Sequence, residues 1–545
     1  MARPSRRRDN RRRTLLGTGI LVLSVVLAPT ASPATAAPAV AALPVPPPPS
    51  VAGPAGPKPT PLAVAEALVA GFGAGATVDN SSVTRCMDAP AMPLAYRTDR
   101  IILRPAPTTT TATALAQVAA ALTTEMGPGT FTIGTPETIT WDPAADPGSV
   151  AGAARLPTGG SDDPGPDGPI WRVVSVPVHA TNGEAVPVVK VARRLRAAGL
   201  TASPDYLLGS GNGPLGVWPN GAPAPTVGPG IPRAGLGGGT TVAVFDTGVP
   251  DAGLATLPSN LTRLTAADTE QPDRDGDGLA DLYFAIHLVA ISGMFATIAP
   301  DATVLGVRVT GPTGIATDFT AAKRMSTTLR NANDLDRWPQ TIVNSFGSPT
   351  CGASPTGGGD DMVPLGLEMV AEAVDRHEQA VVVAAAGNMG SDVPFYPAAF
   401  QTEFPAVISV GALDATTDPD GDPWTSASRT ATPASFSNFG ETVTAWAPGV
   451  ALPTYHANGL RFEPTGPKIP GYATVSGTSF AAPIVAAEIV EQIARTGQTP
   501  HQAWQAVRAA GRPCSAAVGS GVAVALPAMT ATSTTRADPL LKTEC

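Results

Sequence analysis

A set of short, nearly continuous apolar runs rich in β-branched residues constrains the fold more than any other feature. They are Thr240 to Phe245, Thr303 to Val309, Thr341 to Asn344, Ala380 to Ala385 and Val407 to Gly411, each followed by a loop and a helical stretch. Strands apolar on both sides must be covered on both faces. Alternating with helices, they predict an α/β domain whose mainly parallel sheet lies between helical layers. Functional residues in such a sheet belong at the C-terminal ends of the strands.

Upstream the pattern changes. Arg100 to Arg104 reads as a strand, Ala112 to Glu125 as a helix, and Thr130 to Trp141 as a strand. After a Gly/Pro/Asp loop, Trp171 to Val178 reads as a strand, Ala185 to Ala198 as a helix and Ala202 to Leu208 as a strand. The order β-α-β-β-α-β predicts a ferredoxin-like α+β domain over 62–208. Two stretches rich in Pro with Ala or Gly, 37–61 and 209–234, cannot bury a core and read as linkers. They leave 235–527 for the sheet domain and 528–545 as a polar tail. Two to three domains suit the 545 residues.

The first 36 residues read as a secretory signal peptide. Seven arginines between Arg3 and Arg13 precede an apolar stretch, Leu15 to Ala28, and Ala34-Thr35-Ala36 offers a cleavage site. Arg12-Arg13-Thr14-Leu15-Leu16 resembles a twin-arginine signal, so either export route stays open, as does an uncleaved anchor. The expected mature protein is extracellular, off the membrane and monomeric. In that compartment Cys86, Cys351, Cys514 and Cys545 favour two disulfides of undetermined pairing. The formal net charge is −9 despite the basic N-terminus, which argues against a nucleic-acid partner.

Several residues carry candidate chemistry. Asp246 ends Thr241-Val242-Ala243-Val244-Phe245-Asp246-Thr247-Gly248-Val249, and Asn388 follows Val381-Val382-Val383-Ala384-Ala385-Ala386-Gly387. Ser479 lies where a glycine turn meets the helical stretch Phe480 to Thr496. Alone, each has a structural explanation: a turn carboxylate, a turn amide and an N-cap hydroxyl. Acyl transfer to a serine also needs an imidazole base. Among the five histidines, only His287 lies between Asp246 and Ser479 at fitting intervals.

Gly477-Thr478-Ser479-Phe480-Ala481-Ala482-Pro483, Val244-Phe245-Asp246-Thr247-Gly248-Val249 and Ala385-Ala386-Gly387-Asn388 resemble motifs of the subtilisin-like (subtilase) serine peptidases. The resemblance covers roughly 235 to 527, and the region upstream resembles the family's propeptide. It implies a subtilisin-like three-layer domain and a secreted endopeptidase. In that reading Ser479 is the nucleophile, His287 the base, Asp246 its orienting carboxylate and Asn388 the oxyanion donor. Ser345-Phe346-Gly347 would line the cleft for a protein or peptide substrate, and the propeptide would serve as chaperone and inhibitor. One segment departs from the family pattern. The family has Gly-His-Gly-Thr, whereas this chain has Ile286-His287-Leu288-Val289. That departure leaves a catalytically impaired binding module of the same fold as the alternative.

The chemistry requires no cofactor. The run Asp273-Arg274-Asp275-Gly276-Asp277-Gly278-Leu279-Ala280-Asp281 resembles the first nine positions of a calcium loop, with Asp273, Asp275, Asp277 and Asp281 as ligands, although Phe284 stands where the closing Glu would be. Structural Ca²⁺ is one reading and a solvated turn the other.

Overall fold

The computed structural model describes residues 61–79, 93–141, 171–210, 224–226, 235–273, 275–279, 286–311, 313–334, 338–350, 362–414, 429–461, 464–513, 522–523 and 541–543. The expected signal peptide, all four cysteines and Asp281 lie outside the described residues.

The N-terminal region begins with helix α1 (Pro61–Phe72) and strand β1 (Ala76–Asp79). Then come β2 (Leu94–Arg104), α2 (Thr111–Met126), β3 (Phe131–Ile133), β4 (Glu137–Trp141), β5 (Trp171–Ala180), α3 (Val188–Ala197) and β6 (Thr201–Ser210). Four strands pair in the order β6-β2-β5-β4, all antiparallel, giving the ferredoxin-like sheet. Alternation along the strands divides its two faces. Ile101, Leu103, Val174 and Val176 pack with α2 and α3, whereas Ile102, Ile139, Trp141 and Val173 point the opposite way into a second core.

Several details differ from the sequence reading. The stretch read as one strand at Thr130 to Trp141 is split into β3 and β4. Pro136 lies in the break and cannot donate to a ladder. Strand β6 runs on through Gly209 and Ser210 into the stretch read as a linker. Leu541–Thr543, in the expected tail, pair with Arg429–Pro433.

The second region contains β7 (Thr241–Asp246), β8 (Leu261–Arg263), α4 (His287–Ile298), β9 (Thr303–Arg308), β10 (Ile315–Thr317), α5 (Asp318–Asp334), β11 (Thr341–Asn344), β12 (Phe346–Pro349), α6 (Leu365–Asp375), β13 (Val381–Ala385), β14 (Val407–Asp414), β15 (Ala445–Pro448), β16 (Leu452–Asn458), β17 (Pro470–Val475), α7 (Thr478–Thr496) and α8 (Pro500–Ala510). Strands β8-β9-β7-β11-β13-β14-β15 form a parallel sheet in that order. Val242, Val244, Val381 and Val383 face α4, α7 and α8. Ala243, Phe245, Val382 and Ala384 face α5 and α6. The three-layer expectation therefore holds, with the continuous apolar runs buried on both sides.

The second face of the N-terminal sheet is buried against α5 and α6, in one core with Phe319, Met325 and Val370. Charged side chains extend this contact. Arg104 pairs with Glu368 at 2.7 Å and also with Glu372, while the Arg376 guanidinium lies 4.6 Å from the centre of the Trp171 ring.

Candidate active site

The parallel register sets Arg308 beside Asp246, and Asn344 beside both Phe245 and Ala384. Asp246, Ser345 and the Gly387-Asn388 turn therefore leave one edge of the sheet, where α4 and α7 begin.

Asp246 and His287 are both fully buried, and Asp246 Oδ1 lies 2.8 Å from His287 Nδ1. The same oxygen accepts the Thr247 N–H at 2.7 Å. A carboxylate only accepts, so it fixes the ring proton on Nδ1 and makes Nε2 the basic nitrogen. Thr247 Oγ1 accepts the Leu288 N–H at 3.2 Å, satisfying one of the orphan donors of the first turn of α4. The end of β7 thus grips the start of α4 twice. The edge of Phe480 packs on the imidazole, with ring centroids 5.5 Å apart, which places His287 beside the start of α7.

Leu288 and Val289 do not disturb this pair. Leu288 packs with Val249 over Gly306 of β9. A Cβ on Gly306 would come within 3.1 Å of Leu288 Cδ2 and 2.6 Å of Val249 Cγ2. Val289 is buried with Ile286, Ala457, Leu460 and Ile469. A glycine missing beside the histidine is matched by a glycine present one strand away.

Ser479 is the second residue of α7. Pro483, four residues on, has no N–H to return to the Ser479 carbonyl. Ser345 Oγ donates to that carbonyl instead, at 2.9 Å, and Ser479 Oγ donates to the Ser345 carbonyl at 3.5 Å. This reciprocal contact joins the end of β11 to the start of α7, where the helix dipole favours negative charge. Asn388 Oδ1 accepts both the Thr478 N–H and the Thr478 Oγ1 hydroxyl, each at 2.9 Å. An oxygen must face those donors, so the orientation of the Asn388 amide is fixed and its Nδ2 lies on the other side. Gly477 has φ +149°, and a Cβ there would sit 3.6 Å from Asn388 Nδ2. Thr478 and Ser345 act here as supports. Their partners are distant in sequence, and Pro483 was the one local signal of the open carbonyl.

Phe346 and Gly347 form the start of β12, which pairs antiparallel with β6 through Phe346–Ser210 and Gly347–Gly209. Strand β10 pairs with β6 from its other edge, through Ile315–Gly209, Ala316–Leu208 and Thr317–Leu207. The last strand of the N-terminal region therefore lies between β10 and β12 and runs toward Ser345 and Ser479. Helix α1, absent from the sequence reading, packs over it. Leu68 reaches Gly209 so closely that a Cβ on that glycine would lie 2.8 Å from Leu68 Cδ2. Val64, Ala65 and Leu68 share a cluster with Leu207, Ile315, Met389 and Phe395.

His456 on β16 is the other imidazole at this site. Burial, with His287 nearby, lowers it to about 3 and keeps it neutral. His377 stacks on Trp338 with centroids 3.7 Å apart, and His501 Nε2 meets the Ala380 carbonyl at 3.0 Å.

Asp273, Asp275 and Asp277 bring carboxylate oxygens within 4.8 Å of one another. Asp273 accepts the Gly276 and Gly278 N–H groups, and Asp277 accepts that of Leu279. Hard carboxylate oxygens suit Ca²⁺, and each retains lone pairs beyond these turn contacts.

Comparison with known proteins finds related sequences and folds. Subtilisin DY of Bacillus licheniformis is 26% identical over 257 residues, 44% of this chain and 73% of the relative. Mycosin-4 of Mycobacterium tuberculosis is 27% identical over 343 residues, 55% of this chain and 67% of the relative. A crystal structure of a cold adapted subtilisin-like serine proteinase covers 54% of this chain and 90% of its own, at 22% identity and a TM-score of 0.38. A family model described as Subtilase family matches residues 237–510, which span the sheet, Asp246, His287, Asn388 and Ser479. This chain is a member of the subtilase family of serine peptidases.

Proposed function

We propose that the protein is a secreted serine endopeptidase made as a preproenzyme. The observation that carries this reading is the convergence of the buried Asp246–His287 pair, Ser479 at a helix N-terminus and the oriented Asn388 amide on one sheet edge. Ser479 Oγ attacks the peptide carbonyl while His287 Nε2 takes its proton. Asp246 stabilises the resulting imidazolium. Asn388 Nδ2 and the Ser479 N–H donate to the oxyanion, His287 returns the proton to the leaving amine, and water then hydrolyses the acyl-enzyme.

The N-terminal region is the inhibitor in this reading. Strand β6 fills the groove between β10 and β12 as an added strand, as an extended substrate would. Helix α1 covers it. Cleavage beyond β6 and removal of the N-terminal region would open the groove to protein substrates. Residues 1–36 would direct export, the four cysteines would pair outside the cell, and the mature enzyme would act as a monomer without a cofactor in its chemistry. Asp273, Asp275 and Asp277 would hold a structural Ca²⁺.

A fluorophosphonate probe tests this. It should label Ser479 once the N-terminal region is cleaved, and Ser479→Ala should abolish labelling. A folded, cleaved chain that takes no label would overturn the proposal and favour the binding-module alternative.

A further inference from the structure

An oxyanion donor works only if its nitrogen is held where the charge develops, and a misplacement of ~1 Å costs on the order of 10²-fold in rate. Thr478 fixes the side chain of Asn388. Its backbone must be fixed separately, because Asn388 sits on a turn beyond the end of β13.

One residue does this from both sides. Asn438 Nδ2 donates to the Ala386 carbonyl at 2.9 Å, and the Asn438 N–H donates to the Gly387 carbonyl at 2.9 Å. Asn438 Oδ1 accepts the Met389 N–H at 2.9 Å and the Ser391 N–H at 3.4 Å. The peptide groups before and after Asn388 are thus tied to a single buried amide. A side-chain amide donates from one atom and accepts at another; a carboxylate loses the donor and an aliphatic side chain loses both. Gly387 makes the approach possible. Its φ is +103°, and a Cβ would lie 2.6 Å from Asn438 Nδ2. Asn438 is itself anchored. Ser437 Oγ donates to the Asn438 carbonyl at 2.9 Å and accepts the Ala412 N–H of β14 at 2.9 Å. The frame for the turn is therefore the next strand of the sheet.

We infer that Asn438 is a positioning residue for acyl transfer, holding the Asn388 amide on the oxyanion through the backbone of residues 386–391. The inference rests on Asn388 being the oxyanion donor.

The test is a double-mutant cycle on the full chain. Each variant is matured by a trace of wild-type enzyme, with Ser479→Ala treated identically as the blank. Asn438→Ala should lower kcat by about 10- to 100-fold and leave KM within about twofold. In an Asn388→Ala background the same change should lower kcat by less than about twofold further. Equal losses in both backgrounds, or a loss carried by KM, would overturn the inference. If Asn438→Ala does not fold, as judged by its melting transition, Asn438→Asp takes its place, because it keeps the acceptor for Met389. It should show the same dependence on Asn388, and the same additive outcome would count against the inference. If Asn388→Ala leaves kcat intact, the donor assignment itself falls and takes this inference with it.

Discussion

Asp246 and Asp318 are both carboxylates without solvent exposure, yet they stand in opposite situations. Asp246 faces an imidazole that can carry the complementary charge, at 2.8 Å. Asp318 opens α5 and accepts the Gly366 and Leu367 N–H groups at 2.8 Å each, while burial and neighbouring acids are what raise it. The nearby acids are Glu368 and Asp205, the latter on β6 and bonded to the Phe319 N–H at 3.0 Å. Burial pushes Asp318 up to about 8 and Asp205 up to about 6. The candidate site is thus held by complementary partners. At the contact between the N-terminal region and α5, Asp205 accepts the Phe319 N–H and lies near Asp318, so that burial and mutual repulsion favour the neutral acids there. What faces a buried acid decides whether it fixes a structure or makes it conditional on pH.

The largest test of the paired half of this comparison is Asp246→Asn. The amide keeps the shape but can present its N–H to Nδ1, which selects the wrong imidazole tautomer. A loss on the order of 10⁴-fold in kcat is expected, with the melting transition little changed. Unchanged kcat would return Asp246 to the role of a turn carboxylate.

Leu288→Ala comes next. Leu288 is wholly buried over Gly306, so truncation should cost about 2–5 kcal/mol of stability in a denaturant melt. It should leave kcat no higher than wild type. A sharp rise in kcat would mean that Leu288 does hinder His287, and would favour the binding-module reading.

These two residues also mark what the sequence made legible. The sheet was readable because parallel strands buried on both faces must be continuously apolar, and Asp246 because it ends such a run. The place of Leu288 was not, because the space that receives it is a glycine on another strand, at Gly306. Asn438 was hidden for the same reason: its partners lie about 50 residues away in sequence, and its own loop, Ala434 to Gly440, has no periodicity. The first half of β2 escaped because Arg97 and Asp99 interrupt its apolar pattern while satisfying each other at 2.7 and 2.8 Å. Helix α1 escaped because it adjoins a Pro-rich stretch and part of what it buries against, Leu207 of β6 and Ile315 of β10, is distant in sequence.

The conditional half of the comparison predicts a pH dependence. A buried acid whose pKa is raised stabilises the docked state most while protonated in it. The contribution is full below the ordinary carboxylate range near pH 4 and declines as pH rises. That of Asp205 is gone by about pH 6. Arg97, Arg100, the Thr317 hydroxyl and the Phe319 N–H oppose the rise at Asp205, so the net effect for that residue is on the order of 3 kcal/mol. The full chain carrying Ser479→Ala should resist proteolysis of its N-terminal region better at pH 5 than at pH 8. Asp205→Asn, which keeps the acceptor for Phe319, should flatten that difference. A pH profile unchanged by Asp205→Asn would break the contrast with Asp246.

The smallest effect expected is at the rim of the same contact. Lys323 Nζ lies 2.7 Å from Glu137, joining α5 to β4, but the two side chains are 54% and 43% exposed. Water already solvates both charges, and ordering two long side chains offsets much of the attraction. Lys323→Ala should therefore weaken protection of the N-terminal region by less than about 1 kcal/mol, and less still in high salt, where the Debye length falls to about 3 Å at 1 M. This distinguishes charge at the surface from charge in the interior of one interface. If Lys323→Ala released the N-terminal region as readily as raising the pH does, the rim would hold the contact, and the buried acids beneath α5 would no longer explain its dependence on pH.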